Sequence, residues 1–579
     1  KTLRICFCCA HEALPSQQAV MGGKCSCCCL PCGAARDRAR KTRQAAYRPG
    51  PTANGDPDGG FTVDVVAAGG LFWRLGGVLP HHTAGELKER LMADDVRFRT
   101  HRPDLVLGNR VLGDAESLSA AGAQSSRVVA VFTDLRAAVL VLGGGAAGRR
   151  AIEELSPVFK NRWIVCVDAQ EYLEHASGLF RAYVNPEKWN EISMKHEDAL
   201  KRYANVRFVQ GECTHLRPNS ATCTAFDGAE FIVRFEYCII ATGCSWGSVR
   251  PSGESLWKPS AISATREASE WSAHDERTMV GRQRHIEQEH MRLWELDSRS
   301  GSVLVVGADV LGVEWACDLK MFFPNLSVTI VDNMPRCLSS LPVTAAEYAE
   351  RFMSRQNIRT FYEVTYEPNN PVFWKRIDTQ PRADLVYVAT GIQAHNHFMP
   401  QALLSTRGPG GGGWILTNTY LQVCFRSTPK TDRQTADLPG EVWAAGRVFA
   451  VGDCHYGAVK GQRRRAASKF LIPPVPRSAL GAVNWAQVAC KNIVALAKDR
   501  ALEEAEWPPE VGVVAMGLGP PDGVVSWKVT WVRDSGEVIL KGTAAMELKH
   551  RLSLPDKDWL AKPSTWVDTL KSGIGRRYI

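Results

Sequence analysis

The chain has 579 residues, 45% apolar and 23% charged, with a formal net charge of +9. That length and composition are those of a globular protein of several domains with ample core. No apolar run reaches about 18 residues, so no helix is expected to cross a bilayer. The modest positive charge comes without any zinc-finger or homeodomain signature, so nucleic acid is not an expected partner. Eight of the 18 cysteines fall in the first 32 residues; the other ten, from Cys166 to Cys490, are scattered, mostly in apolar contexts. This usage suits free thiols in a reducing, cytoplasmic setting rather than a disulfide framework, and no metal site is expected.

Residues 1–60 read as a disordered tail that is cysteine-rich, then basic, and ends in the Pro/Gly linker "RPGPTANGDPDGG". Read from Met21, Gly22 with Ser26 fits an N-myristoylation pattern, and Cys25 and Cys27 lead a group of palmitate acceptors. Arg36, Arg38, Arg40, Lys41 and Arg43 follow, suited to anionic headgroups. Two such signals anchor stably where one acyl chain does not, so a peripheral position on a membrane face is expected. The spacing of "CLPC" leaves a redox or zinc reading open.

Residues 61–134 form a second unit. "FTVDVVAAGGLFWRLGGVL" predicts two strands around a glycine turn. "TAGELKERLMADD" predicts a helix with Thr83 as N-cap and Glu86 closing a capping box. Short strands and tight turns follow. The order resembles a ubiquitin-like domain, which implies a protein-binding or spacer module; an unrelated small α+β domain is the alternative.

From Arg136 the pattern changes to apolar strands that alternate with helices. "AAVLVLGGGAAGRRAIEEL" predicts strand, Gly143-x-Gly145-x-x-Gly148, then helix, and the next strand ends in Asp168. In that setting a helix N-terminus carries a pyrophosphate while the acid accepts from a ribose. A second fingerprint, "VLVVGADVLGVEWA", keeps Gly307 and Gly312 but has Asp309 in place of the middle glycine, and its partner strand ends in Asp332. Two strands end in Ala-Thr-Gly, the first with Thr242 and Gly243 and the second with Gly391; a third, "GRVFAVGDC", ends in Gly452 and Asp453.

The order fingerprint, ATG, fingerprint, ATG, GD resembles the flavoprotein reductases with two dinucleotide domains. Within them, "VDAQEYLEHASGLFRA", "GVEWACDLKMFFPNLSVTIVD" and "AMGLGPPDG" are most similar to the apoptosis-inducing-factor-like group with its ferroptosis-suppressor-type quinone reductases. Type II NADH dehydrogenases are neighbours of that group. The resemblance implies an α/β fold with an FAD-binding domain (135–250 and 396–500), an NAD-binding domain (251–395) and a C-terminal region (501–579). It implies FAD held by Gly143, Gly145, Gly148, Asp168 and Asp453, and NADH held at the second fingerprint. Asp332 would disfavour the 2′-phosphate of NADPH. Glu314 occupies the family position near the nicotinamide. Arg477 stands where the family has a lysine near the flavin, so a role that needs a titrating lysine is not expected of it.

No cysteine occurs in "GLFRAYVNPEKWNEISMK" and no CxxC follows residue 32, which disfavours a thiol relay. Direct transfer from the flavin to a small acceptor is therefore expected, and the family resemblance implies that this acceptor is quinone-like. Two other readings stay open: a catalytically weakened flavoprotein that signals through the ubiquitin-like unit, favoured by Asp309, and a disulfide reductase.

Overall fold

The computed structural model describes residues 61–67, 71–94, 104–107, 110–123, 128–131, 134–226, 228–245, 248–251, 275–379, 382–390, 392–406, 412–427, 439–457, 479–506, 514–520, 522–527 and 538–553. The chain divides into two units, Lys1–Phe61 and Thr62–Ile579; of the first, only Phe61 is described.

The first sheet in the chain has five strands in the order Leu71–Val78, Phe61–Ala67, Val128–Val131, Asp104–Leu107, Arg110–Val111. Its centre is parallel, with Val65 opposite Val128, and Asp104–Leu107 runs antiparallel to Val128–Val131. Helix Ala84–Asp94 connects the second and third strands. It starts at the expected box: the Thr83 amide donates to Glu86 Oε2 at 2.7 Å, and the Glu86 amide donates to Thr83 Oγ1 at 3.3 Å. Leu87 and Leu91, one turn apart, are buried, which is the spacing that defines the helix's inner stripe.

The next sheet has six strands in the order Ser220–Ala225, Val206–Arg217, Ile164–Asp168, Asp134–Leu142, Glu230–Ile240, Val448–Ala450. Four of its neighbour pairs are parallel. Parallel strands covered on both faces read as continuous apolar runs, as in "AAVLVL" and "IVCV". The last strand joins from more than 200 residues away, with Cys238 opposite Val448, so this sheet is built from two separate stretches of the chain. Helix Ala479–Ala497 closes it by packing Trp485, Ala486, Ala489 and Ile493 against Val139, Val141 and Ile152. Each fully buried large side chain there contributes about 1.5–3 kcal/mol.

A second parallel sheet has the order Ser248–Pro251, Leu385–Val388, Ser302–Val306, Ser327–Val331, Arg359–Phe361, with the first strand antiparallel at the edge. Helix Met279–Ser298 ties it to the first domain through the buried guanidinium of Arg282. Arg282 donates to both oxygens of Glu174, to Glu276 and to the Tyr183 hydroxyl. Losing one partner of such a pair costs about 3–5 kcal/mol, because the other charge stays buried.

The C-terminal region forms a three-stranded antiparallel sheet, Val514–Gly517, Gly523–Trp527, Val538–Lys541, followed by helix Thr543–Ser553. Met516, Leu518 and Val524 join the core of the second domain.

Candidate functional site

The first fingerprint lies at the end of Asp134–Leu142, between Ile164–Asp168 on one side and Glu230–Ile240 on the other. Chain crossovers leave in opposite directions here, which opens the crevice where open α/β sheets take ligands. Gly143 has φ +97, and a Cβ there would meet the Ala241 carbonyl oxygen at 2.4 Å. A Cβ on Gly148 would meet the Gly143 oxygen at 1.9 Å. These two glycines serve the fold, by bringing the loop against the first ATG and the helix against its strand. Gly145 differs: nothing lies within 4 Å of its Cβ direction. That open space stands at the N-terminus of helix Ala146–Leu155, where free amides favour an anion.

Asp168 faces this loop. Its Oδ2 accepts from the Gly144 amide at 2.6 Å and its Oδ1 from the Gln170 amide at 2.9 Å. Burial raises its carboxyl above the ordinary value, against the opposing pull of those two amides and of Arg149. Two lone-pair positions remain for ribose hydroxyls. Beneath it, Arg149 is buried and donates to Nδ1 of His196 at 3.2 Å, so the neutral imidazole carries its proton on Nε2, 3.6 Å from Asp168 Oδ2. Burial keeps His196 well below its usual range and lowers Arg149 to about 10.

The second fingerprint repeats this construction. Gly307 has φ +107 and packs on Ala389 and Thr390 of the second ATG, as Gly143 packs on Ala241 and Thr242. A Cβ on Gly312 would meet the Gly307 oxygen at 1.7 Å. Asp332 accepts from the Ala308 amide through Oδ2 and from the Met334 amide through Oδ1, the positions that Gly144 and Gln170 take around Asp168. Asp309 begins helix Val310–Phe322 with φ −86 and ψ −170, close to the φ −65 and ψ −168 of Gly145. The substitution therefore places no strain on the backbone. The carboxylate is exposed, accepts from the Ser340 hydroxyl at 2.7 Å and makes no cap bond to the amides of its own helix start.

Thr242 lies against Gly143 of the first loop and Gly452 against Ala147 of its helix, with Gly243 and Asp453 next to them in sequence. Gly452 is wedged so that a Cβ would lie 3.4 Å from Ala147 and 3.3 Å from Ala482. A residue that carried no sequence signal, Asn396, joins these loops. Thr242 Oγ1 donates to its Oδ1 at 3.3 Å, and its Nδ2 donates to the carbonyls of Gly413 (2.9 Å) and Cys454 (2.8 Å). Glu314 is buried in the first turns of its helix and ion-paired with Lys549, a partner that no local motif announces. Gly391, Arg477, Gly22, Cys25 and Cys27 lie outside the described residues.

The ten cysteines of the described residues are all free and buried. Burial pushes the Cys454 thiol up to about 11, and it raises Cys238, Cys317 and Cys490 well above their ordinary value. Few thiolates exist near neutral pH under those conditions, so none of these groups is poised for exchange.

Two glycine loops of one design, each with its own acid and its own ATG, agree with what comparison shows: the sequence pattern of the pyridine nucleotide-disulphide oxidoreductases matches residues 137–469. The chain belongs to that family. FAD and NADH are characteristic of it. Among curated relatives, an NADH oxidase from Methanocaldococcus jannaschii is 21% identical over 326 residues, covering 54% of this chain and 62% of its own length. The oxidoreductase OXR1 of Ajellomyces capsulatus is 23% identical over 187 residues, covering 31% of this chain and 34% of its own. The chain thus spans between about a third and three fifths of the curated relatives it matches. The sulfide:quinone oxidoreductase of Aquifex aeolicus shares the fold, with a TM-score of 0.52 at 14% identity over 76% of this chain and 95% of its own. An NDH2 from Plasmodium falciparum, solved with NADH, has a TM-score of 0.50 at 13% identity over 76% of this chain and 99% of its own.

Proposed function

We propose that the chain is an FAD-dependent NADH oxidoreductase that delivers electrons to a quinone-type acceptor, of the apoptosis-inducing-factor-like, ferroptosis-suppressor type. The observation that carries this is the duplicated site: Asp168 and Asp332 each bound by the loop amide and by the amide two residues on. The open space at Gly145, the helix amides behind it and the spare lone pairs of Asp168 fit a pyrophosphate and a ribose. Asp453 is suited to the ribityl chain, and Asp332 repels a 2′-phosphate, which favours NADH over NADPH. Bound FAD would supply the hydride-accepting and two-electron-donating chemistry between NADH and the acceptor. The protein orients the two nucleotides and keeps water out. The family resemblance assigns Glu314 to the nicotinamide side and assigns Arg477, which lies outside the described residues, a fixed positive charge toward the flavin. The quinone-acting fold neighbours and the buried, unreactive thiols support a small acceptor over a disulfide.

The test is an anaerobic titration. Purified protein should be yellow, bleach on NADH, and recover its colour with a water-soluble quinone but not with a small disulfide. Protein that stays oxidised in millimolar NADH refutes the enzyme. The second reading, a weakened flavoprotein that recruits partners, draws on Asp309 and on the small domain. Its strand order and parallel centre, with one helix after the first two strands, support the ubiquitin-like assignment.

Among the described residues no helix is long and apolar enough to cross a membrane. Peripheral attachment to a membrane face through lipid on Gly22, Cys25 and Cys27 is part of the same proposal. It would bring the site to a lipid-dissolved acceptor. Mass spectrometry of the mature N-terminus decides it: an unmodified Gly22 in protein isolated from membranes refutes the anchor.

A further inference from the structure

Helix Val310–Phe322 starts on an aspartate, and an aspartate in that position has a habitual bond. Its carboxylate accepts from the second or third amide of the helix, here Leu311 or Gly312, which no carbonyl within the helix can reach. Asp309 has the extended backbone of such a cap, and its own carbonyl accepts from the Val313 amide at 3.0 Å. The side-chain bond is missing: the carboxylate accepts instead from the Ser340 hydroxyl at 2.7 Å. That serine stands on a fixed segment. Two residues before it, the Leu338 amide donates to the Ala308 carbonyl at 2.8 Å, which docks the segment onto the glycine loop beside Asp309. The Arg336 guanidinium donates to the carbonyls of Cys337, Leu338, Ser339 and Leu341 at 3.1, 2.7, 3.4 and 2.7 Å, so the backbone is held on both sides of Ser340. Cys337, Leu338 and Leu341 are buried in the core of the second domain, while Asp309 and Ser340 are exposed. Leu338 has φ +47, a conformation that persists only where the surroundings impose it.

We infer that Ser340 is a positioning residue for the second nucleotide site: its hydroxyl latches the Asp309 carboxylate off the amides of its own helix and leaves them to the nucleotide's pyrophosphate. The inference rests on the reading of this loop as the NADH site. A carboxylate and a phosphate oxygen are acceptors of the same charge sign, so an aspartate that capped the helix would occupy the amides that an anion needs there. The first loop has no such conflict, because Gly145 stands at the same place with open space beside it. What one glycine does in the first loop takes two residues in the second, an aspartate and a serine 31 positions on. Without the serine hydroxyl the second loop divides between capped and open forms. Only the open form takes the nucleotide, and the apparent affinity falls by the open fraction.

The latch can be read before any nucleotide is added. Hydrogen–deuterium exchange of the FAD-loaded chain, followed in the peptide that spans Asp309–Val313, should show one amide better protected in Ser340→Ala than in the wild type, since a cap bond is gained. Ser340→Thr keeps a hydroxyl and should show no gain. Asp309→Gly/Ser340→Ala has no carboxylate and should exchange like Asp309→Gly. The thermal midpoint of nucleotide-free Ser340→Ala should equal or exceed that of the wild type, because Asp309 exchanges one bond for another. NAD+ then reports the consequence, as it carries the pyrophosphate and does not react with oxidised flavin. By calorimetric titration Ser340→Ala should bind it about fivefold more weakly, the ratio that a typical aspartate cap sets between capped and open helix ends. Ser340→Thr should bind like the wild type, and Asp309→Gly should bind equally tightly with or without Ser340→Ala.

A Ser340→Ala protein whose amides exchange as in the wild type, or whose NAD+ affinity is unchanged, overturns the inference and leaves the oxidoreductase reading standing. So does an equal weakening by Ser340→Ala in the Asp309→Gly background, since the serine would then act without the carboxylate. A loss of thermal stability in Ser340→Ala that accompanies the weaker binding also overturns it, because damage to the segment would explain both. Wild type and Asp309→Gly that both fail to bind NAD+ overturn the nucleotide reading of the loop and the latch's role toward it, while the exchange result still decides whether Ser340 holds Asp309 off its helix.

Discussion

Replacing Asp309 by glycine should tighten binding at the second nucleotide loop. The side chain stands at the start of helix Val310–Phe322, where the first loop has Gly145 and open space. Its backbone, at φ −86 and ψ −170, is already that of Gly145, so the exchange relieves no strain and its effect should be electrostatic. Ser340 holds the carboxylate outward at 2.7 Å, and the aspartate is exposed, so a moderately high dielectric applies. One unit charge on the aspartate and one on the nearer phosphate, about 6 Å apart at an effective dielectric of about 40, repel by about 1.4 kcal/mol. That is about tenfold in Kd. The assay is calorimetric titration with NAD+, which carries the same pyrophosphate and does not react with oxidised flavin. The gain should shrink as ionic strength rises and the Debye length falls below the separation. An unchanged Kd at low salt, or a gain indifferent to salt, refutes this account of the loop.

Gly312→Ala should lower the unfolding free energy by about 1–3 kcal/mol, read as a lower urea midpoint, or prevent folding, because its Cβ would sit 1.7 Å from the Gly307 oxygen and helix and strand must separate; an unaltered midpoint contradicts the close approach. Asp318, raised to about 7 by burial, binds its proton in the folded state over a range where the unfolded chain, near 3.9, has released it. The folded state therefore holds more protons between about pH 4 and 7, and this group's contribution to stability falls as pH rises through that window. Asp318→Asn should remove that negative slope from unfolding midpoints measured at pH 5–8, and equal slopes would refute it. Finally, native protein treated with iodoacetamide at pH 8 should leave Cys166, Cys238, Cys317, Cys454 and Cys490 unlabelled in peptide maps, since all are buried. Rapid labelling of any of them would reopen a thiol relay.

Much of the architecture was legible along the chain because its signals are local. A glycine needed for a close backbone approach, an apolar run covered on both faces, and an acid at the end of the next strand are each set by neighbours a few residues away. Hence Gly143, Gly148, Asp168, Gly307, Gly312 and Asp332 stand where their spacing implies, and the Thr83–Glu86 box opens its helix. Asp309 was legible as an irregularity, but its orientation was not, since Ser340 reaches it from a loop 31 residues on. Other parts of the site were absent from the sequence reading for the same reason. Asn396 joins three loops across 154, 17 and 58 residues. His196 sits under Gly144, where a Cβ would meet its ring at 2.3 Å. Lys549 reaches Glu314 across 235 residues. Such partners are chosen by which surfaces the packed domains press together. Composition and periodicity therefore determine the two nucleotide loops and their strands, while tertiary packing alone decides which charges face one another at their mouths. A buried charge takes its counterion from whatever element closes over it, near in space and arbitrarily far along the chain.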